Sequence, residues 1–377
     1  MFKKKDLSNN IFFKYLLKQL FIYFLISFLF FFLIFFVNQI LLTAETLLKK
    51  RVSIGNVIRL IVYAMPFIIA QSAPFATLVG FLMCLGRMVT DNEILILRAS
   101  GHSYTTILKP VLILGLVISI FSFFVNDYFL PLGTIKYREL TAKISVSNPA
   151  VLLEPHSIKR TQDSILVIGN VQDKDVSDLL MFDKDSEGNQ RIIVSGKSHI
   201  TAPDDPSVIM QLQMSSPQVI ILPFDNRTSY DLLSAENCEM NIFESEFGGY
   251  EGGVSPNEMT AYDLHTKIKK MQSENNKKKS FVLNYHYLEF YKKFALPLGS
   301  LFFAFLAMPL SVSFGKQNGQ TIGLILGIGI SVLYWAVFMI GQTSGYRNGF
   351  NGFWAVWLPN VIVFVAACII YLRLLKK

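Results

Sequence analysis

The sequence predicts an α-helical polytopic membrane protein of six transmembrane helices with an inserted all-β, jelly-roll-like domain. Three observations carry that expectation. Of 377 residues, 52% are hydrophobic and only 16% charged, which is too apolar for an ordinary soluble domain. Six stretches, at 20–42, 60–86, 107–126, 294–314, 321–341 and 353–372, hold the roughly 20 apolar residues that a helix needs to cross a bilayer core of about 30 Å. Between Lys136 and Pro256 the pattern changes to short alternating runs separated by Gly, Pro, Asp and Asn, the mark of strands and turns.

Residues 1–19 mix Lys with Ile, Phe, Tyr and Leu, as in an amphipathic helix lying at the inner leaflet before the first span. The first span, LFIYFLISFLFFFLIFFV, is longer than the apolar core of a signal peptide and lacks a small-residue cleavage site after it, so it reads as retained. Lys and Arg set the orientation. With the N-terminus inside, the inner side holds Lys3, Lys4, Lys5, Lys14, Lys18, Arg87, Arg98, Lys109, Lys316, Arg373, Lys376 and Lys377. The outer short loops hold only Lys49, Lys50, Arg51, Arg59 and Arg347. Both termini and residues 87–106 are therefore expected in the cytoplasm, with the central insert outside. The net charge of +8 is partly topological and gives no ground for nucleic-acid binding.

The second span carries Pro66 and Pro74 with Gln71 between them, which predicts a bent helix. After it comes RMVTDNEILILRASGHSY, residues 87–104, between two apolar runs without charged side chains, 63–86 and 111–125. Thr90 and Glu93 have the spacing of a capping box, with Thr90 as N-cap, and Ser100-Gly101 closes the helix. Glu93 would then stand at the helix start beside Asp91, Ile94 and Leu97, with Arg98 near its end. Such a helix suits docking into a groove that holds an Arg.

In the insert, strands are expected at 164–171, 179–183, 191–196, 199–202, 208–214, 218–223 and 238–243. Alternation puts Val208, Met210, Leu212 and Met214 on one face. That face is core if the sheet is closed, and a trough for acyl chains if it is open. A helical connector follows over 257–283, starting near Ser255 and Pro256. In the fifth span Gly319, Gly323, Gly327 and Ser331 recur every four residues, so one face admits a close helix neighbour, in this chain or in a partner. Trp354 and Trp357 fit an outer aromatic belt. The domain division read from these features is 1–137, 138–256, 257–283 and 284–377.

Catalytic motifs are absent from the sequence. SGKSH at 195–199 ends like a phosphate-binding loop, but the required earlier Gly is Arg191 and no helix is expected after it. His102, His156, His199, His265 and His286 are scattered without metal-ligand spacing. Cys84 and Cys368 lie in spans and Cys238 stands alone, so no disulfide or metal site is expected.

Six strings together carry a resemblance: LGRMVTDNEILILRASGHS (85–103), LKPVLILG (108–115), NDYFLPL (126–132), NYHYLEFYKKFALPL (284–298), AMPLSVSFGKQNGQTIGLILGIGISVLYW (307–335) and WLPN (357–360). With these the chain resembles the LptF/LptG (YjgP/YjgQ) family, permease subunits of the bacterial lipopolysaccharide exporter, an ABC transporter. The resemblance implies an inner-membrane protein whose jelly-roll domain is periplasmic. It implies a heterodimer with a second LptF/LptG-type permease, seated on an LptB-like ATPase dimer that uses the ATP, while this chain binds no cofactor. Residues 90–101 become the coupling helix, with Glu93 meeting the ATPase.

Lipopolysaccharide or a related lipid would enter between the first and fifth spans and pass to LptC-like and LptA-like proteins. Lys49, Lys50, Arg51, Lys292 and Lys293 become candidates for its phosphates, against the plainer reading of snorkelling side chains. Asn92 and His102 depart from the usual family residues. Another ABC-type permease or mechanotransmission subunit, or a scaffold or sensor without transport, remain the rival readings of the residues.

Overall fold

A computed structural model describes residues 2–48, 53–147, 156–160, 165–172, 175–184, 189–201, 208–223, 230–243, 254–273, 280–314 and 318–376. Six helices among them are long and apolar enough to cross a membrane. They belong to α1 (Phe2–Leu48), α2 (Ile54–Thr90), α4 with α5 (Tyr104–Phe124 and Leu130–Ser147), α7 (Ser280–Phe314), α8 (Gly319–Asn348) and α9 (Gly352–Leu375). Two shorter helices, α3 (Glu93–Ala99) and α6 (Ala261–Ser273), complete the set. The helix expected to lie at the inner leaflet is not separate: α1 runs without a break into the first span. Between α4 and α5 a π-helical turn, Val125–Phe129, keeps the rod continuous.

The chain divides into two compact units: 1–42, 61–135 and 256–377 form the first, and 43–60 with 136–255 the second. In the first unit, α2 lies inside the bundle, and Phe75, Phe303 and Tyr334 are buried in its core. The Phe303 and Tyr334 rings lie tilted against each other at 4.8 Å, and Phe75 meets Tyr334 edge-on at 6.1 Å. By contrast α1 and α8 expose wide apolar faces, including Leu25, Leu29 and Leu33 on one and Ile325, Leu333 and Ile340 on the other.

Small residues set the spacing between α8 and α2. A Cβ on Gly323 would stand 2.6 Å from the Leu82 carbonyl oxygen, and one on Gly327 2.8 Å from Val79. Gly319 meets Gly86 backbone to backbone. The three glycines of the stripe, Gly319, Gly323 and Gly327, thus have their neighbour, α2, within this chain. Asn360, from the WLPN string, bridges three helices: its Nδ2 donates to the Ala295 carbonyl at 2.7 Å and its Oδ1 accepts from Tyr334 at 3.0 Å.

Two prolines explain a further buried pair. Leu130 N–H bonds the Val125 carbonyl in the π pattern; the next donor in that register is Pro131, which has no N–H, so the Asn126 carbonyl lacks its backbone partner. Likewise Pro297 cannot donate to the carbonyl of Lys293. Each orphan is filled by the other residue's side chain: Lys293 Nζ donates to the Asn126 carbonyl at 2.9 Å, and Asn126 Nδ2 to the Lys293 carbonyl at 3.1 Å. The neighbouring Asp127 accepts from Ala261 N–H at 2.7 Å, which ties down the first turn of α6. Thr260 and Asp263 cap that helix reciprocally.

The second unit holds the ends of α1, α2 and α5 with nine antiparallel strands. These are β1 (Ser157–Arg160), β2 (Ile165–Ile168), β3 (Asn170–Gln172), β4 (Asp175–Lys184), β5 (Gln190–Thr201), β6 (Val208–Ser215), β7 (Gln218–Leu222), β8 (Asp231–Ser234) and β9 (Asn237–Phe243). The order is β1-β2-β4-β5-β6-β9, with β3 on β4 and with β7, on β5, pairing β8. α5 continues to Ser147, past residue 138, where the sequence pattern began the β domain. The expected strands 191–196 and 199–202 are one strand, β5, and β1 and β8 are additional. GKS at 196–198 lies inside β5, and Arg191 pairs Asp183 across the ladder at 2.7 Å, so no phosphate loop exists there.

Candidate functional site

The link between α2 and α4 is built from both of its ends. α2 reaches Thr90, and Asn92 turns the chain with φ +59 before α3 starts at Glu93. A left-handed conformation is one that Asn tolerates better than most residues, which gives Asn92 a backbone reason. The expected capping box does not form. Thr90 Oγ1 instead donates to the Gly86 carbonyl at 3.1 Å and accepts from Gly319 N–H at 2.9 Å, pinning the end of α2 to the start of α8. The tertiary donor outcompetes the local one, because Thr90 is still inside α2.

The other end follows expectation. Gly101 has φ +83, its N–H bonds the Arg98 carbonyl at 3.0 Å, and His102 N–H bonds the Leu97 carbonyl at 3.1 Å. These are the paired bonds of a Schellman stop, for which glycine is the favoured residue. A seven-residue helix, α3, is therefore held between two fixed turns.

The side chains divide sharply. Ile94 is 4% exposed and belongs to the transmembrane core, and Leu97 is half-buried, so neither is a free docking face. Leu95 and Ile96, at 64% and 62% exposed, are the apolar residues that α3 turns outward. Sequence reasoning missed them. The available signal was four consecutive apolar residues, 94–97, on a helix too short to bury every side.

Asp91 is exposed beside them. Arg98 lies over the Tyr104 ring at 4.2 Å, a cation–π contact that turns it toward α4. Glu93 accepts from Tyr15 of α1, with the phenol oxygen 3.2 and 3.3 Å from its two carboxylate oxygens. Arg87 Nη2 stands 3.9 Å from Glu93, its Nε 3.9 Å from Asp91, and its guanidinium over the Tyr23 ring at 5.7 Å.

The proposed headgroup cations fare differently. Lys49, Lys50 and Arg51 lie outside the described residues. Lys293 is 3% exposed and committed to the Asn126 carbonyl, so it cannot meet a phosphate. Lys292 pairs Glu289 at 3.3 Å, and Glu289 also accepts from Tyr346; its charge is already matched.

On the expected trough face, Leu212 and Met214 are fully buried with Ile168, Leu179 and Ile200, forming the core of the β unit. The ladder shifts register between Val208 and Met210. The side chains of Val208 and Met210 lie outside the described residues. Among the described residues, no group of His, Cys, Asp and Glu could hold a metal ion.

Six apolar spans with a β unit inserted between the third and fourth make this a polytopic helical membrane protein with an inserted β domain. The family model described as "Lipopolysaccharide export system permease LptF/LptG" matches residues 14–373. The chain belongs to that family. It is similar to the lipopolysaccharide export system permease protein LptF of Escherichia coli K12 and to that of Shigella flexneri. Each is 23% identical over 309 residues, covering 79% of this chain and 77% of the relative. Membership and the six apolar helices make it a multi-pass protein of the inner membrane and a transporter permease.

Proposed function

We propose that this chain is one permease half of an ABC transporter that extracts lipopolysaccharide, or a related glycolipid, from the inner membrane. In this reading it pairs with a second LptF/LptG-type permease, and a separate LptB-like ATPase dimer supplies the ATP hydrolysis. Both termini and α3 face the cytoplasm, the β unit is periplasmic, and the lipid passes on to LptC-like and LptA-like proteins. The relatives' names favour the LptF type for this half.

The observation that carries the reading is α3 itself. A helix locked at both ends presents Glu93, Asp91 and two exposed apolar side chains, which fits a groove that offers a cation and an apolar floor. The buried end of α3 supports the second half of the function, because Ile94 and Thr90 connect it to the cores of α2 and α8. A push on α3 therefore reaches the bundle. The exposed apolar faces of α1 and α8 support lipid contact at the first and fifth spans. Lys49, Lys50 and Arg51 remain the proposed contacts for the lipid phosphates.

Affinity purification of the full chain in mild detergent, followed by mass spectrometry of bound proteins and lipids, tests this. A second permease, an ATPase and a phosphorylated glycolipid are expected in the complex. A pure homo-oligomer without ATPase or glycolipid would support the scaffold reading instead.

A further inference from the structure

Nothing within α3 fixes the Glu93 carboxylate. It is the first residue of its helix, and the N-cap Asn92 makes no side-chain cap bond there. Its two partners among the described residues come from outside the helix: the Tyr15 hydroxyl at 3.2 and 3.3 Å and the Arg87 guanidinium at 3.9 Å. Tyr15 belongs to the first span, 78 residues away in sequence. A carboxylate offers about four acceptor positions, and one shared phenol proton with one distant guanidinium leaves acceptor capacity unused. The side chain is 29% exposed, so those positions are reachable from solvent. Tyr15 thus restrains the rotamer from one side while the other stays open.

Resting on the coupling role proposed for Glu93, we infer that Tyr15 is a positioning residue for the ATPase contact. It holds the carboxylate in the orientation that the partner's cation meets, and it makes the first span part of the coupling device. A free Glu side chain loses rotamer freedom on binding; Tyr15 removes part of that freedom beforehand, so binding costs less. Arg87 supports the arrangement from α2, since it lies near both Glu93 and the Tyr23 ring of α1.

The test is a double-mutant cycle on the full chain co-expressed with its partner permease and ATPase. Dissociation of the ATPase and stimulation of ATP hydrolysis are read for Tyr15→Phe, Glu93→Gln and both together. Glu93→Gln is expected to weaken association by at least about tenfold, and Tyr15→Phe by about fivefold, the scale of one partly exposed hydrogen bond to a charged group. In the Glu93→Gln background Tyr15→Phe should change nothing further, and the single Tyr15→Phe variant should unfold at the wild-type temperature. Those results support the inference.

A Tyr15→Phe effect of the same size in both backgrounds overturns it, because Tyr15 would then act independently of Glu93. If Glu93→Gln weakens association and Tyr15→Phe does not, positioning is overturned while the coupling role stands. Wild-type association in Glu93→Gln overturns the coupling role, and the positioning role goes with it.

Discussion

Asn126→Leu removes the donor that fills the Lys293 carbonyl while keeping the number of side-chain heavy atoms. The site is buried, with Asn126 4% exposed and its Nδ2 3.1 Å from that carbonyl. Because Pro297 supplies no N–H in the helical register, the carbonyl is left unpaired among packed helices. An orphaned buried acceptor costs about 1–3 kcal/mol, to which the bulkier Leu adds a packing cost. The apparent unfolding free energy, measured by titrating a denaturing detergent into mild micelles, should fall by that amount.

The cause can be isolated with Pro297→Ala, which returns a backbone N–H to the same carbonyl. In that background Asn126→Leu should cost about 1–3 kcal/mol less, since the carbonyl now has a helical partner. Equal costs in the two backgrounds would refute the reasoning and leave Asn126 as a packing residue only.

Further outcomes follow from the packing. Gly323→Ala should destabilise the bundle by about 1–3 kcal/mol, as overpacking does, because its Cβ meets the Leu82 backbone at 2.6 Å. Gly329→Ala, in the same helix with nothing within 4 Å of its Cβ, should be neutral or slightly stabilising in the same detergent titration. Leu95→Ser with Ile96→Ser should leave the unfolding transition unchanged, given their exposure, yet weaken ATPase association severalfold in a pull-down.

The spans were legible because uncharged runs of about 20 residues have few alternatives in a chain this apolar. Their true ends were not: α1 and α5 extend into polar sequence, where helix is maintained without an apolar signal. In the β unit, Gly196-Lys197-Ser198 reads as a break, but it lies in an uninterrupted β5 with open space around Gly196. β8 escaped notice because all four of its residues are exposed, so no alternation marks it.

The short helix after the second span was legible in the sequence, while its contacts were not. Thr90 has capping-box spacing, and only the fold reveals that Gly319 N–H is its partner. Lys292 and Lys293 look alike in sequence, yet one pairs at the surface of its helix and the other is buried. A usable signal existed for the second: a proline four residues after Lys293 and another five after Asn126 mark two carbonyls in need of donors.

In the proposed function, α3 transmits ATP hydrolysis to lipid movement through Glu93. The most direct measurement is ATP-driven release of lipopolysaccharide from proteoliposomes that contain this chain, a second permease and the ATPase, with Glu93 intact or replaced by Ala. Glu93→Ala is expected to fold and insert but to lose most ATP-dependent release and most stimulation of hydrolysis, as when a charge-assisted contact of about 1.5–3 kcal/mol is removed. Undiminished release and hydrolysis in the Glu93→Ala vesicles would contradict it.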